Sequence, residues 1–266
     1  MNQQILLSVA LITRNRPGSL ERTLGSLRSQ SVQPFEVVVS DDSDEEFVSE
    51  TESIAYKFNC RYIRGPRRGL YANRNHAASN CIGTHIRTMD DDHTLPAEHF
   101  QKCLTAVHSD SNAIWTTGEI GFVRGERVGT LETASQLDAA GVGQAVDQLD
   151  NNWGISDGST IYPREIFDRG LRMVEDFGFG SSYLEFGAFL YKRGWKSRCV
   201  RGAFVEHHAE KLSKADPLSQ RFASICFNCH FRPNALRMAR NLAPHWKSWP
   251  QLPQLFEKAY RRWKTQ

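Results

Sequence analysis

The sequence predicts an α/β fold, a mostly parallel Rossmann-like sheet with helices on both faces, followed by a C-terminal helical extension. Three observations carry this reading. Apolar runs rich in β-branched residues alternate with stretches of helical period from residue 5 to about 118. Acidic residues follow two of those runs directly. The chain has 266 residues, 40% hydrophobic and 11% aromatic, with a mean hydropathy of −0.49, enough to bury a sizeable core.

The elements follow in order. ILLSVALI (5–12) reads as a buried strand, and Pro17 with Leu20, Leu24 and Leu27 reads as a helix opened by proline. FEVVVS (35–40) is a second strand, followed by a helical pattern through Phe47, Ile54 and Phe58. CRYIR (60–64), a helix near 70–81, the strand HIRTM (85–89), a helix from Pro96 to about His108 and the strand AIWTTG (113–118) continue the alternation. Such βαβ units predict a mostly parallel sheet. Residues 125–157, rich in Gly, Asp and Gln with weak periodicity, read as a long loop or partial helix lying over the site as a lid. STIY (159–162), a helix from Pro163, a helix from Tyr183 to Lys192 and a strand from Trp195 to Val200 complete a body spanning residues 1–215, with 216–266 as the extension.

The 33 Lys+Arg against 30 Asp+Glu give a net charge of +3, unevenly spread. Residues 221–266 hold nine Lys/Arg and one acid, Glu257, a net +8 that leaves −5 for the rest. A basic, aromatic-rich extension fits either an anionic surface or a solvated helix face. The chain lacks an apolar run long enough to span a bilayer, and the start, MNQQILLSVALIT, lacks a signal-peptide pattern, so the expected location is the cytoplasm. The six cysteines are then expected as free thiols. Cys226, Cys229 and His230 match a haem-attachment spacing, but the expected location argues against haem, and no partner Cys/His pair supports zinc.

Ligands of an open parallel sheet sit beyond the carboxyl ends of its strands. Asp90, Asp91 and Asp92 stand together at one such end, where adjacent carboxylates repel unless a cation joins them. Mg²⁺ or Mn²⁺ takes oxygen ligands and bridges to phosphates, so the cluster predicts a divalent cation and a diphosphate-bearing ligand. Asp41 and Asp42 end another strand and should face the same crevice. Phosphate-loop, dinucleotide and serine-hydrolase motifs are absent.

SVALITRNRPGSLERTLGSLRSQSVQPFEVVVSDDSD (8–44), GLYANRNHAASNCIGTHIRTMDDDHTLP (69–96) and FGFGSSYLEFGAFLYKRGWKSR (177–198) together resemble the family-two glycosyltransferases of GT-A fold, inverting enzymes that use nucleotide-sugar donors. The resemblance implies that Thr13, Asn15 and Asp42 hold the nucleoside and that Arg74 stands near the donor. It implies that Asp90 touches the ribose and that Asp91 or Asp92 is the metal ligand of the D-x-D motif. Asp92 is assigned to the metal and Asp91 to the donor. His207, in FVEHHAE, is expected beside the metal or diphosphate, with no more than one of His207 and His208 in that role.

The family supplies a general base from a Glu-Asp pair, but Ser182-Tyr183 stands there instead. Glu185 is the expected base, with Glu175 and Asp176 as alternatives. The expected activity is a metal-dependent inverting transfer of a sugar from a UDP-, GDP- or dTDP-linked donor to a glycan or lipid-linked acceptor, as in bacterial-type polysaccharide synthesis. A non-catalytic nucleotide-sugar-binding protein and a sugar nucleotidyltransferase are the alternatives. The extension suggests peripheral contact with the inner membrane surface, with packing against the body as the simpler role. Nucleic acid is not expected as a partner.

Overall fold

The computed structural model describes residues 4–210 and 214–264. Strand β1 (Leu7–Thr13) is buried along its whole length, as its unbroken apolar run demands. Helix α1 (Pro17–Arg28) starts on proline and buries Leu20, Thr23, Leu24 and Leu27 against the sheet. Then come β2 (Glu36–Asp41), α2 (Glu45–Lys57), β3 (Arg61–Arg64), α3 (Leu70–Ser79) and β4 (His85–Asp90). A two-residue strand β5 (His93–Thr94) precedes α4 (His99–Ser109) and the long β6 (Ile114–Val123). The expected helix start at Pro96 falls three residues early.

Residues 125–157 depart from the expected loop or partial helix. They fold as β7 (Glu126–Leu131), which pairs with β6, and as a small ribbon of β8 (Ser135–Leu137) and β9 (Gly143–Ala145). The strand character was hidden because β7 is largely exposed and so carries no apolar alternation. Strand β10 (Thr160–Pro163) follows, and the helix expected from Pro163 shrinks to one turn, α5 (Glu165–Asp168). Helix α6 (Ser182–Lys192) then leads into β11 (Ser197–Ala209), which runs nine residues past its expected end at Val200.

Among the described residues the main sheet has nine strands in the order β3-β2-β1-β4-β10-β6-β11-β5, with β7 beside β6. The first four are mutually parallel, β6 and β11 are parallel to each other, and β10 runs antiparallel to both β4 and β6. Two apolar clusters fill the two faces of the sheet, one under α1 and α4 and the other under α3 and α6.

The C-terminal segment comprises α7 (Pro217–Cys226), a π-helical turn over Phe227–Phe231, α8 (Ala235–Leu242), a 3₁₀ stretch over Ala243–Gln251 and α9 (Leu252–Lys264). Phe222, Ile225, Cys226 and Leu255 pack with Val174 and Phe177 of the body, and Phe227 and Phe231 pack with Trp153 and Leu184. Phe222, Phe227 and Phe231 of the extension are thus core residues, although Trp249 and Tyr260 are about half exposed. The side chain of Trp246 lies outside the described residues. All six cysteines are free. Among the described residues no helix is long and apolar enough to cross a membrane.

Candidate functional site

Three parallel strands end side by side. Thr13 of β1 is level with Asp41 of β2, and Ile12 is level with Asp90 of β4, so the acidic residues that follow β2 and β4 share one edge of the sheet. Side chains alternate across a strand. Asp41 accordingly turns away to Tyr62 and Arg64, while Asp42 accepts a hydrogen bond from the Arg67 amide at 2.9 Å. Burial raises Asp42 above the usual carboxylate range. A Cβ on Gly65 would lie 2.1 Å from Asp42 Oδ1, so only glycine lets the chain pass this close.

Asp91 faces inward and is fully buried. Its carboxylate accepts from the Thr13 hydroxyl at 2.6 Å and pairs with Arg16, while its carbonyl accepts from Thr23 of α1. Burial pushes Asp91 up to about 7, against the pull of Arg16. Thr13 therefore spends its hydroxyl on the acidic turn. Asn15, in the left-handed region at φ 56°, donates its side-chain amide to the Asp44 carboxylate, accepts from the Asp44 backbone amide and donates its own backbone amide to the Ser43 hydroxyl oxygen, which ties the β1–α1 loop to the β2–α2 loop.

Asp92, His93 and His207 come together, each offering a ligand atom, with those atoms all within 4.8 Å of one another. The two-residue strand β5 makes this possible by pairing His93 with His207 of β11. His207 therefore lies inside a strand rather than after one. Its neighbour His208 faces the other way, against Phe122 and Thr94, as strand alternation requires. Each imidazole has its Nδ1 occupied, His93 by the Gly158 carbonyl at 3.1 Å and His207 by Glu119 at 2.9 Å. That leaves both Nε2 atoms for the centre, the orientation that outer partners impose on metal-binding histidines. Asp92 also receives Arg16 at 2.8 Å and faces His207 Nε2 at 3.7 Å. Burial works against the Asp92 carboxylate, but His207, His93 and Arg16 hold it well below its usual range. Burial likewise opposes the His207 imidazolium, but Asp92 and Glu119 outweigh it and raise the group to about 10.

Behind this trio, Arg74 of α3 is almost wholly buried and lies 2.9 Å from Asp90 and 3.0 Å from Asp157. Asp157 also lies 3.4 Å from the Tyr71 hydroxyl, and burial raises it to about 6. A Cβ on Gly158 would meet Asp90 Oδ2 at 2.4 Å and His93 Cε1 at 2.6 Å, so this loop is pressed against the carboxylates. Around the trio, five carboxylates (Asp90, Asp91, Asp92, Glu119, Asp157) face two guanidinium groups (Arg16, Arg74), with His207 adding positive charge only while it is protonated and no metal is bound. Charge of that sign, with two oriented imidazoles and a carboxylate at its centre, suits a divalent cation.

Glu185 does not join these residues. It is fully buried in α6, where Trp263 donates to it at 2.8 Å and Arg262 pairs with it at 3.3 Å. As a general base it would need contact with an acceptor, and its oxygens are instead committed to α9. Of the alternatives, Glu175 is held by Asn75 and Arg68 and Asp176 by Lys258. The sequence assigns no role to Arg16, Glu119 or Asp157, and it places His93 at the strand end without one. The signal for His93 is its place directly after the aspartate run. Glu119 and Asp157 carry no local signal, because sheet pairing and loop packing bring them in.

A family model described as glycosyl transferase family 2 matches residues 8–171, and the chain belongs to that family. An uncharacterized glycosyltransferase from Haemophilus influenzae is 30% identical over 108 residues, which is 40% of this chain and 36% of that protein, so the match spans little more than a third of the relative. Among solved structures, GalNAc-T7 with UDP, GalNAc and Mn²⁺ superposes with a TM-score of 0.70 at 15% identity, over 98% of this chain and 55% of that one. Residues 1–349 of S. aureus TarS in complex with UDP give a TM-score of 0.63 at 17% identity, over 96% and 81% of the two chains. These likenesses establish the GT-A type of fold with added C-terminal helices.

Proposed function

We propose that this chain is an inverting glycosyltransferase that moves a sugar from a nucleotide-diphosphate donor to an acceptor hydroxyl. The observation that carries this reading is the gathering of Asp42, Asp90, Asp92 and His207 at one sheet edge in a chain of this family. Asp42, with Thr13 and Asn15 framing the same loops, is read as the nucleoside end of the site. Asp90 is read as the ribose contact, with Arg74 holding it from behind and Asp91 bracing the turn.

Asp92 and His207, joined by His93, are the residues that would hold Mn²⁺ or Mg²⁺. A bound cation of this kind neutralises charge developing on a leaving diphosphate. The chain's own residues orient the ligands: Gly158 and Glu119 fix the two imidazoles, and Arg16 fixes Asp92. UDP or UDP-sugar in related folds favours a uridine donor as the first to try.

We read residues 1–215 as the catalytic body and 216–266 as an extension. α8 exposes Leu236, Arg237 and Arg240, which suits contact with an anionic membrane surface and a lipid-linked or glycan acceptor. A donor-binding protein without transfer activity is the second reading, favoured by the commitment of Glu185 to Arg262 and Trp263.

The test is a thermal-shift panel of UDP, GDP, dTDP and CDP with and without Mn²⁺, followed by release of nucleoside diphosphate from the matching sugar donors. Selective stabilisation and turnover, with at least about a 100-fold loss in Asp92→Asn, support the transferase. Binding without turnover supports the second reading, and silence across the panel removes both.

A further inference from the structure

With Glu185 sealed behind α9, the reaction proposed above needs another group to take the acceptor's proton, and this inference rests on that reading. The carboxylates at the strand edge divide by what already occupies them. Asp91 is fully buried under Thr13 and Arg16. Asp92 faces Arg16 and His207, and Glu119 is hydrogen-bonded to His207. Asp90 ends β4 and leads into the turn that carries Asp92, which puts it on the donor's side of the site.

Asp157 stands apart by its place in the chain. It comes from a separate loop, the one leading into β10, and its side chain keeps 15% exposure. Its Oδ1 is buried against Arg74 at 3.0 Å, and its Oδ2 lies 3.4 Å from the Tyr71 hydroxyl. The next residue, Gly158, supplies the carbonyl that orients His93, so Asp157 is tied by one peptide to the centre of the site.

We infer that Asp157 is the general base, a carboxylate supplied by the loop before β10 in place of one from α6. The acceptor O–H proton passes to the Asp157 carboxylate while the acceptor oxygen bonds to the anomeric carbon. The bond from that carbon to the phosphate oxygen breaks, and its electron pair leaves with the nucleoside diphosphate. Arg74, shared with Asp90, holds the carboxylate in place, and Tyr71 lies on its other side.

The rival role for Asp157 is that of a counter-charge to Arg74 alone. The experiment compares wild type, Asp157→Asn, Asp157→Ala and Asp92→Asn with UDP-glucose, UDP-N-acetylglucosamine and GDP-mannose in the presence of Mn²⁺. Donor affinity is measured by calorimetry, hydrolysis by nucleotide release, and glycosyl azide formation with added sodium azide. Azide carries no proton at neutral pH and so needs no base. The expected result is that Asp157→Asn and Asp157→Ala bind donor within about threefold of wild type. Both lose hydrolysis by about 100-fold or more, and both still form glycosyl azide, whereas Asp92→Asn loses hydrolysis and azide transfer together.

Retention of hydrolysis by Asp157→Asn within a few-fold of wild type, with Asp92→Asn inactive, overturns this inference and leaves the transferase reading intact. Equal loss of donor binding, hydrolysis and azide transfer in both Asp157 variants, with a lowered melting temperature, assigns Asp157 to Arg74 alone and also overturns it. A wild type that neither binds nor cleaves any donor overturns the transferase reading and this inference with it.

Discussion

Arg16 stands where the acidic turn needs positive charge. It reaches both Asp91 and Asp92 from the start of α1, and it is the counter-charge nearest to a carboxylate that has no exposure of its own. Removing one partner of such a pair leaves the other buried and uncompensated, which costs about 3–5 kcal/mol when both are buried. Arg16 is 42% exposed, so solvent screening reduces the effect. Arg16→Gln is expected to lower unfolding free energy by about 1–2 kcal/mol in urea denaturation. Added Mn²⁺ should restore part of the loss by supplying charge to the same carboxylates. Unchanged stability would mean that Arg16 does not support the turn. Asp91 was assigned to the donor from its place in the aspartate run. Its burial could not be read there, because three consecutive acids look alike until strand alternation sends one inward.

At the level of elements, the helices and parallel strands that the sequence announced are those whose apolar residues form continuous runs or helical stripes. Val37, Val38 and Val39 in β2, and Leu20, Leu24 and Leu27 in α1, are examples. The elements it concealed depend on distant partners. β5 is two residues long and exists only because β11 extends far enough to pair with it, yet this pairing brings His207 to His93. In the same way, Glu185 could be matched to a motif but not to its true neighbours, since Arg262 and Trp263 lie 77 and 78 residues away. That contact makes the extension a structural partner of α6. Arg262→Ala is expected to cost about 3 kcal/mol, because it leaves a buried carboxylate without its counter-charge and with only the Trp263 hydrogen bond described above, and Glu185→Gln in the same chain should recover a substantial part of it. Additive losses in thermal or urea unfolding would show that the two residues are not coupled.

For the whole molecule, the reach of the sequence was set by how ligand sites form in parallel sheets. Strand ends were legible, so the shared edge that carries Asp42 and Asp90–Asp92 was legible too. The second half of the site was not, because Asp157 comes from the loop before the antiparallel strand β10, while Glu119 of β6 and His207 of β11 are brought in beyond it, an order that no βαβ pattern encodes. The two halves meet at Asp92, His93 and His207, and the account stands on what that meeting point binds. The most direct measurement is an anomalous difference map, collected at the manganese edge from crystals grown with UDP and Mn²⁺. The expected result is a single strong peak among Asp92, His93 and His207, with the diphosphate beside it and the nucleoside extending toward Asp42. A map with no peak there while UDP is visibly bound, or with manganese bound elsewhere on the chain, would contradict it.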